Sequence, residues 1–252
     1  MKIQFIFHSS YLIETERCYL LFDYYQGELP ELDTLKPLYV LASHNHYDHF
    51  SPVVFQLIRK YPATVYVLSD DISVQQCEEA VRELGIAPPK IRWIHPGVEY
   101  TFPECRVEAF GSTDHGVSFL VEADGMRLFH AGDLNDWCWT NVPKSQSQAM
   151  QQDYLAELAK LSVALEGATL DAAFIPVDPV LGDGQFQGPR EFLESISVRH
   201  TFPMHMWERY SVGEKFLAGY PKYRSVFQPI RKTGERFLLE RDGELMPQSE
   251  EA

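Results

Sequence analysis

Residues 43–50 read SHNHYDHF, which places three histidines and an aspartate within eight positions. A neutral imidazole offers a nitrogen to a divalent cation, and a carboxylate offsets the cation's charge. The apolar stretch LYVLAS, residues 38–43, reads as a strand that delivers His44 and His46 where regular pairing stops. Alternate residues of an extended segment point the same way, so these two histidines can reach one ion. Asp48 and His49 follow as the chain turns, and their side chains can diverge towards a second ion. A polar surface turn could share this composition, so the surrounding elements must decide.

Short apolar runs bounded by turn residues precede the loop. KIQFIF, SYLIET and CYLLFDY read as consecutive strands. After the loop, Ser51 as N-cap and Pro52 in the first turn predict a helix over about 52–60. TVYVLS is then a strand, and DDISVQQCEEAVRELG a helix closed by Gly85. KIRWIH, EYTF, CRVEAFGS, VSFLVEA and MRLFHAG form a second strand-rich stretch, with Asp124–Gly125 marking a hairpin. A helix over about 146–165, the strand LDAAFIPVD, the helix GPREFLESISVR and the short strand TFPMHMW come next. A helix near 211–219 and a closing strand at ERFLLER complete the reading. Two strand-rich halves, each ending in strand–helix units, imply two sheets packed face to face with helices outside.

With 252 residues, 45% of them hydrophobic, and no linker-like segment, the chain suits a single domain over 1–252. Its formal charge of −14 argues against a nucleic-acid partner, which needs a basic footprint. The N-terminal MKIQFIFHSSYLIETERC lacks a signal-like apolar core, and no run approaches the ~18 apolar residues of a membrane span. Cys18, Cys77, Cys105 and Cys138 form no CxxC pair, as expected of reduced thiols in a cytoplasmic protein.

The series His44-x-His46-x-Asp48-His49, between a strand and a capped helix, resembles the HxHxDH signature of the metallo-β-lactamase fold superfamily. The resemblance implies an α/β fold, a four-layer αβ/βα sandwich of two mixed sheets with helices on the outer faces. It also implies two divalent metal ions, zinc by default and manganese or iron as alternatives. Further ligands are then expected in order along the chain. GSTDHGVSF offers His115 as the third histidine expected for the first ion, with Asp114 as its rival; neighbours on an extended chain face opposite ways, so one of the two coordinates. FHAGDLN offers Asp133 as the carboxylate between both ions, because an aspartate has two oxygens to share. FPMHMW offers His205. Asp23, ending an early strand, is expected to brace the metal loop. His8 resembles an early histidine of the lactonase-like branch that lies near the active site. His130 either supports the site from an apolar strand or packs in the core.

The implied function is a dinuclear metal-dependent hydrolase of a small-molecule ester, lactone, thioester or phosphoester. A hydroxide held between the ions attacks, with Asp48 and Asp133 as the catalytic carboxylates. Asn135, Trp137 and Trp139 follow Asp133 and are expected at the cavity mouth, with Asp178 and Trp207 on other walls. Arg209 is an anchor for an anionic substrate group or an ordinary surface cation. The alternative, a metal-dependent ribonuclease or phosphodiesterase of the same superfamily, calls for a basic exosite that so acidic a chain disfavours. A purely structural metal site is usually closed and rich in cysteine, unlike this His/Asp set. Oligomeric state is open.

Overall fold

The computed structural model describes residues 1–139 and 142–248. Its strands are β1 (Lys2–Phe7), β2 (Ser10–Glu14), β3 (Tyr19–Phe22), β4 (Leu38–Ala42), β5 (Thr64–Ser69), β6 (Lys90–Ile94) and β7 (Glu99–Thr101). They continue with β8 (Cys105–Phe110), β9 (Ser118–Ala123), β10 (Met126–His130), β11 (Leu170–Pro176), β12 (Val198–Met204), β13 (Arg236–Leu239) and β14 (Leu245–Gln248). The helices are α1 (Val74–Leu84), α2 (Lys144–Ala164), α3 (Gln187–Ser195) and α4 (Ser211–Gly219).

The strands form two mixed sheets, ordered β14-β13-β1-β2-β3-β4-β5-β6 and β12-β11-β10-β9-β8-β7. Strands β3 to β6 run parallel, as do β10 to β12, while the hairpins at the other ends are antiparallel. Side-chain alternation assigns the two faces of the first sheet. On β4, Tyr39 and Leu41 join the core that holds Val121, Phe174 and Phe202 of the second sheet. Leu38, Val40 and Ala42 point the other way, onto Val54 and Phe55 and onto Cys77 and Ala80 of α1. Both faces of β4 are therefore dry, which explains its unbroken apolar run. Tyr154, Leu158 and Leu161 of α2 and Phe192 of α3 pack against the second sheet.

Local details add to the sequence reading. The helix expected over about 52–60 is present at Pro52–Arg59 and is of the 3₁₀ type. Ser51 caps only the Val53 N–H, and the closing bond from Lys60 N reaches Leu57 O. The helix read across GPREFLESISVR stops at Ser195, because Val198 pairs with Leu170 and starts β12. His200 accordingly sits in a strand, with Nε2 2.8 Å from Gly243 O. Strand β14, unanticipated from sequence, extends the first sheet beyond β13. All four cysteines are unpaired thiols, and among the described residues no helix is long and apolar enough to cross a membrane.

Candidate metal centre

Strand β4 ends at Ala42, and Ser43 begins the loop on a buried hydroxyl. Asp23, one residue beyond β3, accepts hydrogen bonds from Ser43 N and Ser43 Oγ, both at 2.7 Å. Its Oδ2 also lies 2.8 Å from Nδ1 of His49. Ser43 Oγ is 2.9 Å from Nδ1 of His44 as well. One buried carboxylate and one hydroxyl thus fix the outer nitrogens of two histidines and leave their Nε2 atoms facing inward. Sequence reasoning passed over Ser43, although it opens the motif.

His44 and His46 come together, with His44 Nε2 2.9 Å from His46 Nδ1. The turn closed by His49 N and Phe50 N on His46 O then swings Asp48 and His49 away. Two groups of donor atoms result, each lying within 4.8 Å of one another: His44, His46, Asp114 and Asp133, and His8, Asp48, His49 and His205. Asp133 touches both. Its Oδ2 is 3.4 Å from His44 Nε2, while its Oδ1 is 3.1 Å from His49 Nε2 and 3.5 Å from His205 Nε2. Asp48 Oδ2 is 3.3 Å from His8 Nε2 and 4.0 Å from His205 Nε2.

Between Asp114 and His115, the structure brings Asp114 into the first group, with Oδ2 3.5 Å from His46 Nδ1. His115 belongs to neither group; its side chain is 60% exposed and sets its ring edge-on to His46 at 4.9 Å. Gly116 is the cause. It adopts φ +66° and packs so tightly that a Cβ there would lie 1.9 Å from Ser43 O. This contact sets the direction of the preceding residues, and Val117 N bonds Ser43 O just after it.

Other expected residues also shift in role. His8, expected near the site, is fully buried and belongs to the second donor group itself. Asp178, expected on a pocket wall, is instead buried behind His205, with Oδ2 3.1 Å from Nδ1. Asn135, expected at the mouth, is buried under α3, where a Cβ on Gly188 would collide with its Oδ1. Thr113 Oγ1 donates to Asn135 O and accepts from Asn135 N, so the residue is held by its backbone. Trp137 is buried, donates from Nε1 to Asp133 O and sets its ring edge-on to His205 at 5.5 Å. Trp139, half-buried, stacks on Trp137 at 6.3 Å, and Trp207 lies 4.1 Å from the His8 ring. Arg209 is exposed. His130 stacks on Phe22 at 4.8 Å, accepts from Gly132 N on Nδ1 and so donates from Nε2 to Ser9 O. It packs behind the site rather than in it.

The electrostatics favour cations in this space. Burial alone would neutralise His49, yet the Asp133 and Asp23 carboxylates hold its pKa well above the usual value. His205 is likewise raised against burial by Asp133 and Asp178. Burial opposes ionisation of Asp133, but His49 and His205 keep its carboxyl well below the ordinary range. Burial pushes His8 down to about 4, and the Asp48 carboxylate close to its Nε2 only partly compensates. Burial also works against Asp48, which His8 and His49 nevertheless hold at about 2. Meanwhile His8 Nδ1 and Nε2, His49 Nε2 and Asp133 Oδ1 are buried with no hydrogen-bond partner. Such orphaned donor atoms are rare unless a ligand is meant to use them. Inward-facing imidazole nitrogens with carboxylate oxygens between them fit divalent metal ions.

Strain concentrates in the same place. His8, Asp23, His205 and Trp207 all have positive φ, between 43° and 60°, in residues other than glycine. Each such conformation costs about 1–2 kcal/mol and persists only where surrounding contacts enforce it.

A family model described as the Beta-lactamase superfamily domain matches residues 2–144, more than half of the sequence. The chain belongs to the metallo-β-lactamase superfamily of metal-dependent hydrolases. Within that superfamily, a UPF0173 metal-dependent hydrolase of Opitutus terrae is 30% identical over 219 residues, covering 81% of this chain and 84% of the relative. A metallo hydrolase from Ignicoccus hospitalis has the same fold, with a TM-score of 0.59 at 13% identity over 93% of this chain and 96% of that one. Human tRNase Z, short form, aligns with a TM-score of 0.52 at 10% identity, covering 83% of this chain and 94% of its own. At such identities the likeness is one of fold, on which superfamily members carry different chemistries.

Proposed function

We propose that the chain is a single-domain, dinuclear hydrolase of a small-molecule ester, lactone, thioester or phosphoester. The observation that carries this reading is Asp133, whose two oxygens reach one donor group each, at 3.4 Å from His44 and 3.1 Å from His49. His44, His46 and Asp114 would hold one ion, and His8, Asp48, His49 and His205 the other, with Asp133 between. Zinc is the default for such ligands, with manganese or iron as alternatives. Bound there, the ions supply Lewis acidity that acidifies a water and polarises the scissile carbonyl or phosphoryl oxygen.

The chain's own groups do the rest. Asp48, held at about 2, remains an anionic acceptor through neutral pH and orients the attacking water. Asp178 and Asp23 keep His205 and His49 turned inward. Trp139 and Trp207, half-buried beside the donors, offer apolar walls to a small substrate. A net charge of −14 favours this over a nucleic-acid substrate, and four unpaired cysteines suit a reducing cytoplasm.

The test is metal analysis of the purified protein, followed by assay on an aryl ester, a lactone, a thioester, a phosphomonoester and a phosphodiester. Two equivalents of metal with chelator-sensitive turnover of at least one small substrate is the expected result. Full metal occupancy with no turnover on any member would sink the hydrolytic reading.

A further inference from the structure

Behind the loop that follows Asp133, apart from the metal cradle, two acidic side chains share a dry space. Asp136 on the loop is fully buried, and Glu191 of α3 is 7% exposed. Both turn to one amide, since Gln187 Nε2 donates to Asp136 Oδ2 at 2.7 Å and lies 3.5 Å from Glu191 Oε1. Gln151 of α2 donates to the same Glu191 oxygen. The remaining oxygens, Asp136 Oδ1 and Glu191 Oε2, are buried with no hydrogen-bond partner. The titratable groups facing Asp136 are Glu191 from α3 and Tyr154 from α2, whose hydroxyl is already given to Gly188 O. The charge felt at Asp136 comes from Glu191.

Two carboxylates without a cation cannot both stay ionised in such a place. A single proton shared by the pair turns the repulsion into an O–H···O bond, and each residue has a buried oxygen with no other partner to take part in it. Burial and the Glu191 charge push the Asp136 carboxyl up to about 6, in keeping with a retained proton.

The loop held this way is the one that matters to the site. Asp133 stands three residues before Asp136, and Trp137 directly after it donates to Asp133 O. Cys138 N bonds back to Asp136 O at 2.8 Å, closing a tight turn that carries both indoles. We propose that Asp136 is a positioning residue, which shares one proton with Glu191 and so pins residues 133–139 against α3, setting Trp137 against His205. The pairing is independent of the reaction; its effect on turnover rests on the hydrolytic reading above.

Tryptophan fluorescence of the metal-loaded full chain tests it, titrated from pH 5 to 8 in wild type, D136N and E191Q. The wild type should show an emission shift centred near 6, as the pair loses its proton and the loop loosens. D136N presents an amide that donates to Glu191 without titrating, so it should keep wild-type circular dichroism and metal content while losing the shift. A D136N protein that retains the shift at the same midpoint and amplitude overturns the proposal. If D136N does not fold, E191Q applies the same criterion from the other side of the pair. Turnover of the same panel of aryl ester, lactone, thioester and phosphoesters, followed in parallel, separates the two ideas. No turnover on any member, with the fluorescence result intact, defeats the hydrolytic reading alone.

Discussion

Asp178 Oδ2 lies 3.1 Å from Nδ1 of His205, while the opposite ring nitrogen of His205 lies 3.5 Å from Asp133 Oδ1. A carboxylate on the outer nitrogen keeps the proton there and leaves the inner lone pair free for a cation. Asp23 does the same for His49 from the opposite sheet. D178N and D23N should therefore weaken metal affinity by roughly 10–100-fold while leaving the donor set intact. Competition against a chromogenic chelator measures this. Unchanged affinity in D178N would mean that packing alone orients His205.

Gly116 and Gly125 both have positive φ, but only Gly116 sits against backbone. A Cβ at Gly116 would meet Ser43 O at 1.9 Å, whereas Gly125 has nothing within 4 Å. G125A should cost about 1 kcal/mol, from backbone strain alone. G116A should cost at least about 3 kcal/mol, because Ser43 and the metal loop must move as well. Urea denaturation of the two variants decides, and equal losses would contradict the tight packing inferred here.

The raised Asp136 carboxyl also has a stability signature. Folded, it keeps its proton up to about 6, well above the ordinary aspartate value of the unfolded chain, so the native state binds more protons across that window. Its contribution is fully present below the unfolded value and is lost as pH rises through about 6. Wild type minus D136N should accordingly fall by on the order of 2 kcal/mol between pH 4 and pH 7. Thermal midpoints measured for both proteins over that range give the difference directly.

Metal capture should release protons. His49 and His205 are held above their ordinary values by the very carboxylates that a cation would meet. A cation must displace what those rings carry, so affinity should rise with pH through the neutral range. Titration calorimetry near pH 6, repeated in buffers of different ionisation enthalpy, should report release of about one proton or more per chain. No buffer dependence would place the rings neutral before binding.

Much of the site was readable from residue order, because the HxHxDH loop needs only a strand before it and a turn within it. The side chains whose placement was not legible are those whose direction is set by distant packing. His115 and Asp114 are neighbours, and nothing local says that Gly116 presses on Ser43. Asp178 and Asn135 lie in loops rich in turn residues, which read as exposed walls, yet β12 and α3 cover them. The helix over 52–60 carried sound capping signals, but a short segment with its cap on Val53 N winds more tightly than an α-helix. Apolar runs, by contrast, served well: LYVLAS was read as a strand leading into the histidine loop, and β4 ends at Ala42, just before it.

The hydrogen bond from His205 N to His8 O ties the end of β12 to the end of β1. The second donor group is thus closed by residues far apart along the polypeptide, a contact whose loop-closure entropy is large. His44, His46, Asp114 and Asp133 all emerge from the ribosome well before His205. Synthesis therefore supplies every residue of the first donor group before it completes the second.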